Sequence, residues 1–391
     1  MLRINDMKRN ITIGFDAHYA NTDVDMLGAY SRFMIESLAI AAPRYSYIRA
    51  YMPKCKQHDD YNRIEQLHNI ESMEPDGYFA RLLWPLWRAW RVAADAENGD
   101  VELYHGFAEL MPLTLSTRNI RSVATIHDLS FFHDKHFFNI PENFVRRLVM
   151  GWTLHRVDRV IALSESLRDD AIKHFNIDPD KVDVIHCGAS KLFGVAPSQE
   201  QCEDVVARYS LPEKYLLSVG AHIKRRNHLQ VIRLLPMLDA DLHYVIVGNT
   251  TGHTQNMLRV ARELGVVNRV HIISSYSAED LPIIYNKALL LVQLSSYEGF
   301  ALSLIEAMAS GLPIVASNNE HHKSVAGTCA YYVDSANRDA LLQAIRKCVS
   351  DEQWRIDAVN GGRMQVMHYR HEVAGYNLLN CYRRLDVNIR G

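Results

Sequence analysis

Short apolar runs alternate with stretches of helical periodicity along most of the chain. Asn10–Asp16 (NITIGFD) reads as an opening strand, and Gly28–Ile40 (GAYSRFMIESLAI) sets its apolar residues at helical spacing. Ser122–Ile126, Arg159–Ala162 and Val182–Ile185 read as further strands. A second series opens with Tyr215–Gly220 (YLLSVG) and His243–Gly248 (HYVIVG), then runs through Val270–Ile273, Leu289–Leu294 and Pro313–Ser317. Apolar runs of this length, separated by helices, are what parallel strands buried on both faces require. The pattern predicts an α/β chain of two Rossmann-like, doubly wound units facing across a cleft. Gly194–Lys214 is polar, with prolines near both ends, and reads as a linker. The expected organisation is residues 1–193, a linker at 194–213, a second unit at 214–370, and a C-terminal helix at 371–391 packing back on the first unit. In such folds ligands lie beyond the carboxyl ends of the strands. That directs attention to the loops after Asp16, Ile126, Gly220, Gly248 and Leu294.

Composition narrows the function classes. The chain has 391 residues, 43 Lys and Arg against 45 Asp and Glu, and 48% hydrophobic residues. It is too apolar for a disordered chain and lacks the basic excess of a nucleic-acid-binding surface. Ala288–Leu294 is among its longest apolar stretches, far short of the ~20 residues a membrane span needs. The first residues carry no apolar signal-peptide core, so the expectation is a cytoplasmic protein. Cys55, Cys187, Cys202, Cys329, Cys348 and Cys381 form no CxxC pair and read as buried thiols. Asp-x-Asp recurs at Asp23/Asp25, Asp178/Asp180 and Asp239/Asp241 in unrelated contexts, and His133/His136 stand without partners, so no metal is expected. No GxGxxG follows a strand, and neither a P-loop nor a G-x-S-x-G elbow occurs. Tyr78–Val92 (YFARLLWPLWRAWRV) has two readings: an amphipathic segment on a membrane surface, or a buried helix with snorkelling arginines that Pro85 interrupts or kinks.

The densest chemistry lies in Ser295–Ser317 (SSYEGFALSLIEAMASGLPIVAS). Glu298 and Gly299 fall in the loop after a strand, and a helix covers about Leu302–Ser310, closed by Gly311 as a left-handed cap. The unpaired N–H groups of such a helix start suit a diphosphate. Glu306 either closes a Ser-x-x-Glu capping box with Ser303 or presents its carboxylate to the same ligand as Glu298. A second stretch, Ser218–Asn227 (SVGAHIKRRN), follows a strand and gathers Lys224, Arg225 and Arg226 after Gly220. In the first half, Ile13–Ala17 with Gly28-Ala29-Tyr30, and Thr125–Leu129 with His127, also sit at strand ends.

Together these stretches resemble the retaining glycosyltransferases of family four (group 1), which have the GT-B fold. The family signature Glu-Gly-Phe-Gly-Leu-Pro, then Glu-Ala-Met-Ala, Gly and Pro, stands here as Glu298-Gly299-Phe300-Ala301-Leu302-Ser303 and Glu306-Ala307-Met308-Ala309, with Gly311 and Pro313. The family's Arg-Lys-Asn is Arg225-Arg226-Asn227, and its His-Asp pair is His127-Asp128. The chain departs from the pattern at Met26, Arg226, Ala301, Ser303 and Ser324. The resemblance implies that Glu298 binds hydroxyls of the donor sugar, that Glu306 accepts from the ribose, and that His127 reaches the sugar near the reaction centre. Arg225 and Arg226 would neutralise the donor diphosphate. Breaking the anomeric bond leaves extra charge there, which fixed cations stabilise. Gly28, Gly220, Gly299, Phe300, Ala301 and Leu302 would line the donor. The implied activity is retaining, metal-independent transfer of a hexose, mannose first, from GDP-mannose or a UDP-sugar, with no cofactor. The implied acceptor is a glycan or lipid-linked glycan at the inner membrane face, as in the mannosyltransferases of surface-polysaccharide synthesis, with the Tyr78–Val92 segment as a peripheral membrane contact. Closure of the two units would exclude water from the transfer. Two alternatives stay open: a sugar-nucleotide epimerase of the same architecture, and a non-catalytic module that binds a glycan or partner.

Overall fold

The computed structural model describes residues 11–385 apart from 23–25, 43–45, 53–63, 68, 76–82, 109–110 and 134–139. Asp23, Asp25, Cys55, His136 and residues 78–82 of the tryptophan-rich segment lie outside the described residues. The chain divides into two compact units, the first made of residues up to Gly188 together with those from Arg370, the second of Ala189–Tyr369.

The first unit holds a sheet of β1 (Ile11–Asp16), β2 (Ser46–Tyr51), β3 (Ile70–Met73), β4 (Leu103–Gly106), β5 (Arg121–Ile126), β6 (Arg159–Ala162) and β7 (Val182–Val184). Their order is β3-β2-β1-β4-β5-β6-β7 and every pairing is parallel. The second unit holds β8 (Tyr215–Val219), β9 (His243–Val247), β10 (Val270–Ile273), β11 (Leu290–Gln293), β12 (Ile314–Ser317) and β13 (Ala330–Val333), all parallel in the order β10-β9-β8-β11-β12-β13. In each sheet the winding direction reverses once, beside β1 and β4 or beside β8 and β11. The loops leaving those neighbouring strands diverge there and open a crevice.

Burial explains why these runs are strands. In the second unit Leu216, Tyr244, Ile246, Leu290, Val292 and Val315 pack with Leu341 and Ile345 from the covering helix Arg338–Ser350. Each such side chain contributes roughly 1.5–3 kcal/mol relative to exposure. Cys187, Cys202, Cys329, Cys348 and Cys381 are buried thiols.

Three local expectations are corrected. The segment at 194–213 is not an open linker: Gln199–Tyr209 is a helix of the second unit, started by Ser198, whose side chain and that of Gln201 form a capping box. It is polar because only Cys202 and Val205 are buried, and Arg208 and Tyr209 anchor it by bonds to Asp280 (2.7 Å each). Gly28 lies inside the first turn of the helix Met26–Ala41, as its spacing implied, rather than at a strand end. Pro85 occupies the first turn of the helix Trp84–Leu86, where no N–H is needed, and the part of the segment before Leu83 lies outside the described residues. The chain there continues as a π-helical turn, Trp87–Arg91, and then as Val92–Asn98. Trp87 and Val92 are buried, whereas Leu83, Leu86 and Trp90 are exposed. Arg88 does not snorkel: it pairs with the buried Asp16 at the end of β1 (2.5 and 2.7 Å).

The C-terminal helix His371–Arg383 packs on Met26–Ala41 within the first unit. Ser37 Oγ bonds His371 Nδ1 at 2.9 Å, and the Phe33 and His371 rings stack at 4.1 Å. Gly375 permits the approach, since a Cβ there would stand 2.3 Å from the Ser37 carbonyl oxygen.

Candidate functional site

In the second unit, the loops after β8 and β11 are stitched together. Asn227, in the left-handed region at φ 55°, donates from Nδ2 to the Leu294 carbonyl at 2.9 Å. Ser296 N–H donates to the Arg225 carbonyl (2.9 Å), and Arg225 returns a bond from its guanidinium to the Tyr297 carbonyl (2.6 Å). Arg226 donates to Ser295 Oγ (3.2 Å) and forms an ion pair with Oε1 of Glu298. The cationic stretch and the acidic stretch therefore meet at the β8/β11 switch point. Lys224–Arg226 form a short helical turn, with Arg225 and Arg226 half-buried rather than fully solvated.

Gly220 sits at φ +139°, and a Cβ there would come within 2.9 Å of Arg226 Cζ. The guanidinium thus lies against bare backbone. Among the described residues, its enclosed Nε has no hydrogen-bond partner. Glu298 is 3% exposed. Oε1 also accepts from Gln293 Nε2 (2.9 Å) and faces His322 Nε2 at 3.6 Å. Burial alone would raise this carboxyl, but Arg226 chiefly, then His322, hold it well below the usual range.

The next residues of the acidic stretch divide into two groups. Gly299, Phe300 and Ala301 are buried, with the Phe300 ring 6.4 Å from that of Tyr369. The helix Leu302–Ala309 begins after Ala301 with no side-chain cap, leaving its first N–H groups without that partner. Ser303 is already inside the helix, and its buried Oγ has no partner among the described residues, so it makes no capping box with Glu306. Gly311 closes the helix at φ +68°. Glu306 Oε2 instead accepts from the Tyr285 hydroxyl at 2.7 Å. Burial raises this carboxyl to about 7, with Tyr285 pulling the other way. The two glutamates, eight positions apart in sequence, thus stand in opposite electrostatic states.

In the first unit His127 follows β5 and is 6% exposed. Its Nε2 lies 2.6 Å from the Phe107 carbonyl, which only accepts, so Nε2 carries the proton. Nδ1 is left as an acceptor, enclosed and without a partner among the described residues. Burial lowers the imidazole to about 4 against the opposing Phe107 carbonyl and Asp128, so it is neutral at pH 7. Tyr30 packs edge-on to it at 4.5 Å, and a buried chain runs from Tyr30 through Thr125 (3.0 Å) and His105 (2.8 Å) to Tyr382 (2.8 Å).

Sequence reasoning missed Gln293, His322 and Tyr285. A glutamine inside the apolar run Ala288–Leu294 was the one visible signal; no motif pointed to His322 or Tyr285.

Two family models match the chain: the one described as Glycosyl transferases group 1 over residues 206–365, and the one described as Glycosyltransferase Family 4 over residues 48–190. O-antigen chain mannosyltransferase B of Escherichia coli is 28% identical over 312 residues, covering 78% of this chain and 79% of that one. O-antigen chain mannosyltransferase RfbU of Salmonella typhimurium is 26% identical over 226 residues, covering 57% and 59%. Among solved structures, sucrose-phosphate synthase from Thermosynechococcus elongatus superposes with a TM-score of 0.74 at 19% identity, over 96% of this chain and 99% of that one.

Proposed function

Because the chain belongs to the group 1, family-four glycosyltransferases and has their GT-B fold, we propose that it transfers mannose from GDP-mannose, with retention and without a metal, to a glycan acceptor. The reading rests above all on the meeting of Arg226 and Glu298 beside Gly220 at the β8/β11 switch point. Arg225 and Arg226 hold the diphosphate, and the uncapped start of Leu302–Ala309 adds N–H donors to it. Arg226 Nε supplies a donor that no described residue uses. As the anomeric C–O bond breaks, the electron pair goes to the departing phosphate oxygen, whose new charge these fixed groups stabilise. The acceptor hydroxyl enters from the same face through an oxocarbenium-like state, its oxygen bonding the anomeric carbon while its proton passes to the departing phosphate oxygen. Glu298, kept ionised by Arg226 and His322, accepts from hydroxyls of the sugar. Glu306 accepts from the ribose. The first unit supplies His127, whose Nδ1 accepts from a substrate hydroxyl.

The acceptor in this reading is carried on a lipid. Leu83, Leu86 and Trp90, exposed with Arg91 beside them, form a surface suited to the headgroup region of a bilayer. Among the described residues, no helix is long and apolar enough to cross a membrane.

The deciding experiment measures nucleotide release and product anomeric configuration across a panel of sugar nucleotides with and without a glycan acceptor. Acceptor-dependent release of GDP with an α-linked product is expected. Arg226→Ala should lower kcat about a hundredfold with the fold intact. Conversion of donor without acceptor would point to an epimerase instead, and binding without turnover to a non-catalytic module.

A further inference from the structure

We infer that Tyr285 is a positioning residue for Glu306: its hydroxyl ties down one carboxylate oxygen so that the other meets the vicinal hydroxyls of the donor's ribose. The inference rests on the reading of Glu306 given above.

Tyr285 Oη donates to Glu306 Oε2 at 2.7 Å, and no other described residue donates a hydrogen bond to that carboxylate. The phenol is well placed to hold it. Tyr285 lies on the helix Leu281–Lys287, fully enclosed, with the Phe193 ring edge-on at 5.3 Å. The preceding carbonyl, of Ile284, accepts from the Tyr215 hydroxyl at 2.6 Å, which pins the helix to β8. Burial keeps the phenol protonated, so its hydrogen points to Glu306 at any working pH. A carboxylate held by one oxygen cannot swing away, and it offers the other in a fixed direction to a pair of hydroxyl donors.

The neighbouring groups do not duplicate this role. Tyr276 and Glu298 act on Tyr285, and His322, on the adjoining helix Glu320–Ala326, faces Glu298. Tyr369 donates to the Val325 carbonyl, and Arg363, on Glu352–Gln365, lies beside Gly311. Among the described residues no cation offsets the burial of Glu306, which stands raised to about 7, so the phenol is the group that favours its ionised form.

The test compares binding of GDP with 2′,3′-dideoxy-GDP by calorimetry from pH 5.5 to 8.5. UDP and its dideoxy analogue are run in parallel, and the nucleotide that binds more tightly is used. In the unaltered protein, discrimination in favour of the ribose hydroxyls should rise as pH passes upward through about 7, reaching roughly tenfold. Tyr285→Phe should move that midpoint to higher pH and cut discrimination at pH 7 several-fold, with kcat at saturating donor much less affected. Unchanged midpoint and unchanged discrimination in Tyr285→Phe overturn the positioning role while leaving the ribose role standing. Equal binding of the two nucleotides by the unaltered protein at every pH overturns the ribose role, and the inference with it. Should Tyr285→Phe fail to fold, the same substitution is made in Glu306→Gln, which keeps the acceptor without the buried charge. There too, discrimination must fall if Tyr285 aims the group.

Discussion

Gly220 carries two demands that no other residue type meets together: φ +139°, and a guanidinium lying where its Cβ would be. Gly220→Ala therefore adds backbone strain of about 1–3 kcal/mol and displaces Arg226. Melting temperature should fall by several degrees, and donor-dependent turnover should fall more steeply than stability alone explains. Wild-type turnover in the alanine variant would show that Arg226 is not needed where the structure puts it. The same scale separates what residue identity reveals from what it conceals. Glu298 and Glu306 were legible as a pair, but their opposite electrostatic states were not. One is pulled down by Arg226 and His322, the other pushed up by burial, and both causes come from residues distant in sequence.

At the level of elements, the long apolar strands were readable because burial on both faces leaves a continuous hydrophobic run. β2, β3 and β4 escaped notice for the converse reason. β3 (IESM) and β4 (LYHG) are four-residue strands with polar members, and His105 of β4 is satisfied by Thr125 and Tyr382 rather than by water. The helix Gln199–Tyr209 was mistaken for a linker because its apolar stripe is so narrow. Docking of the C-terminal helix depends on the contact at Gly375. Gly375→Ala should loosen it, since the new Cβ meets the Ser37 carbonyl oxygen at 2.3 Å and the Ala41 Cβ at 2.6 Å. Faster amide exchange across 371–383 and a lower unfolding midpoint are expected; unaltered exchange there would contradict the packing. For the tryptophan-rich segment, Leu86→Glu with Trp90→Glu removes exposed apolar side chains without touching Arg88 or Trp87. Binding to vesicles containing anionic lipid should drop several-fold. Equal co-sedimentation of variant and parent would remove this segment from any membrane role.

Across the whole molecule, acid should act on both units through their buried histidines. Burial lowers His105 to about 3 and His127 to about 4 in the first unit, and His228 to about 3 in the second. A histidine whose folded value lies below its unfolded 6.5 contributes stability that is full above pH 6.5 and lost as pH falls toward the folded value. The loss approaches about 1.4 kcal/mol per pH unit for each such group. Glu306 has the reverse sign: raised to about 7, it favours the fold as pH drops from 7 toward 4.5 and offsets part of that loss in the second unit. In the second unit burial also lowers His222, His243, His253 and His271, and Glu298, held down chiefly by Arg226, gives up its contribution below the ordinary carboxylate range. Both units should therefore lose stability as pH falls below 6.5, and the urea midpoint should drop progressively between pH 6.5 and 4. A midpoint that holds constant over that range would refute the coupling.

The chain order of strands and helices, the parallel sheets and the family motifs were decided by local pattern, because apolar periodicity and loop glycines are properties of neighbouring residues. Which groups meet was decided only on folding. The pairing of Arg226 with Glu298, the hold of Tyr285 on Glu306 and the tautomer of His127 each join residues about twenty to seventy positions apart. Burial and proximity set their protonation, and neither quantity exists until strand order has brought those loops together.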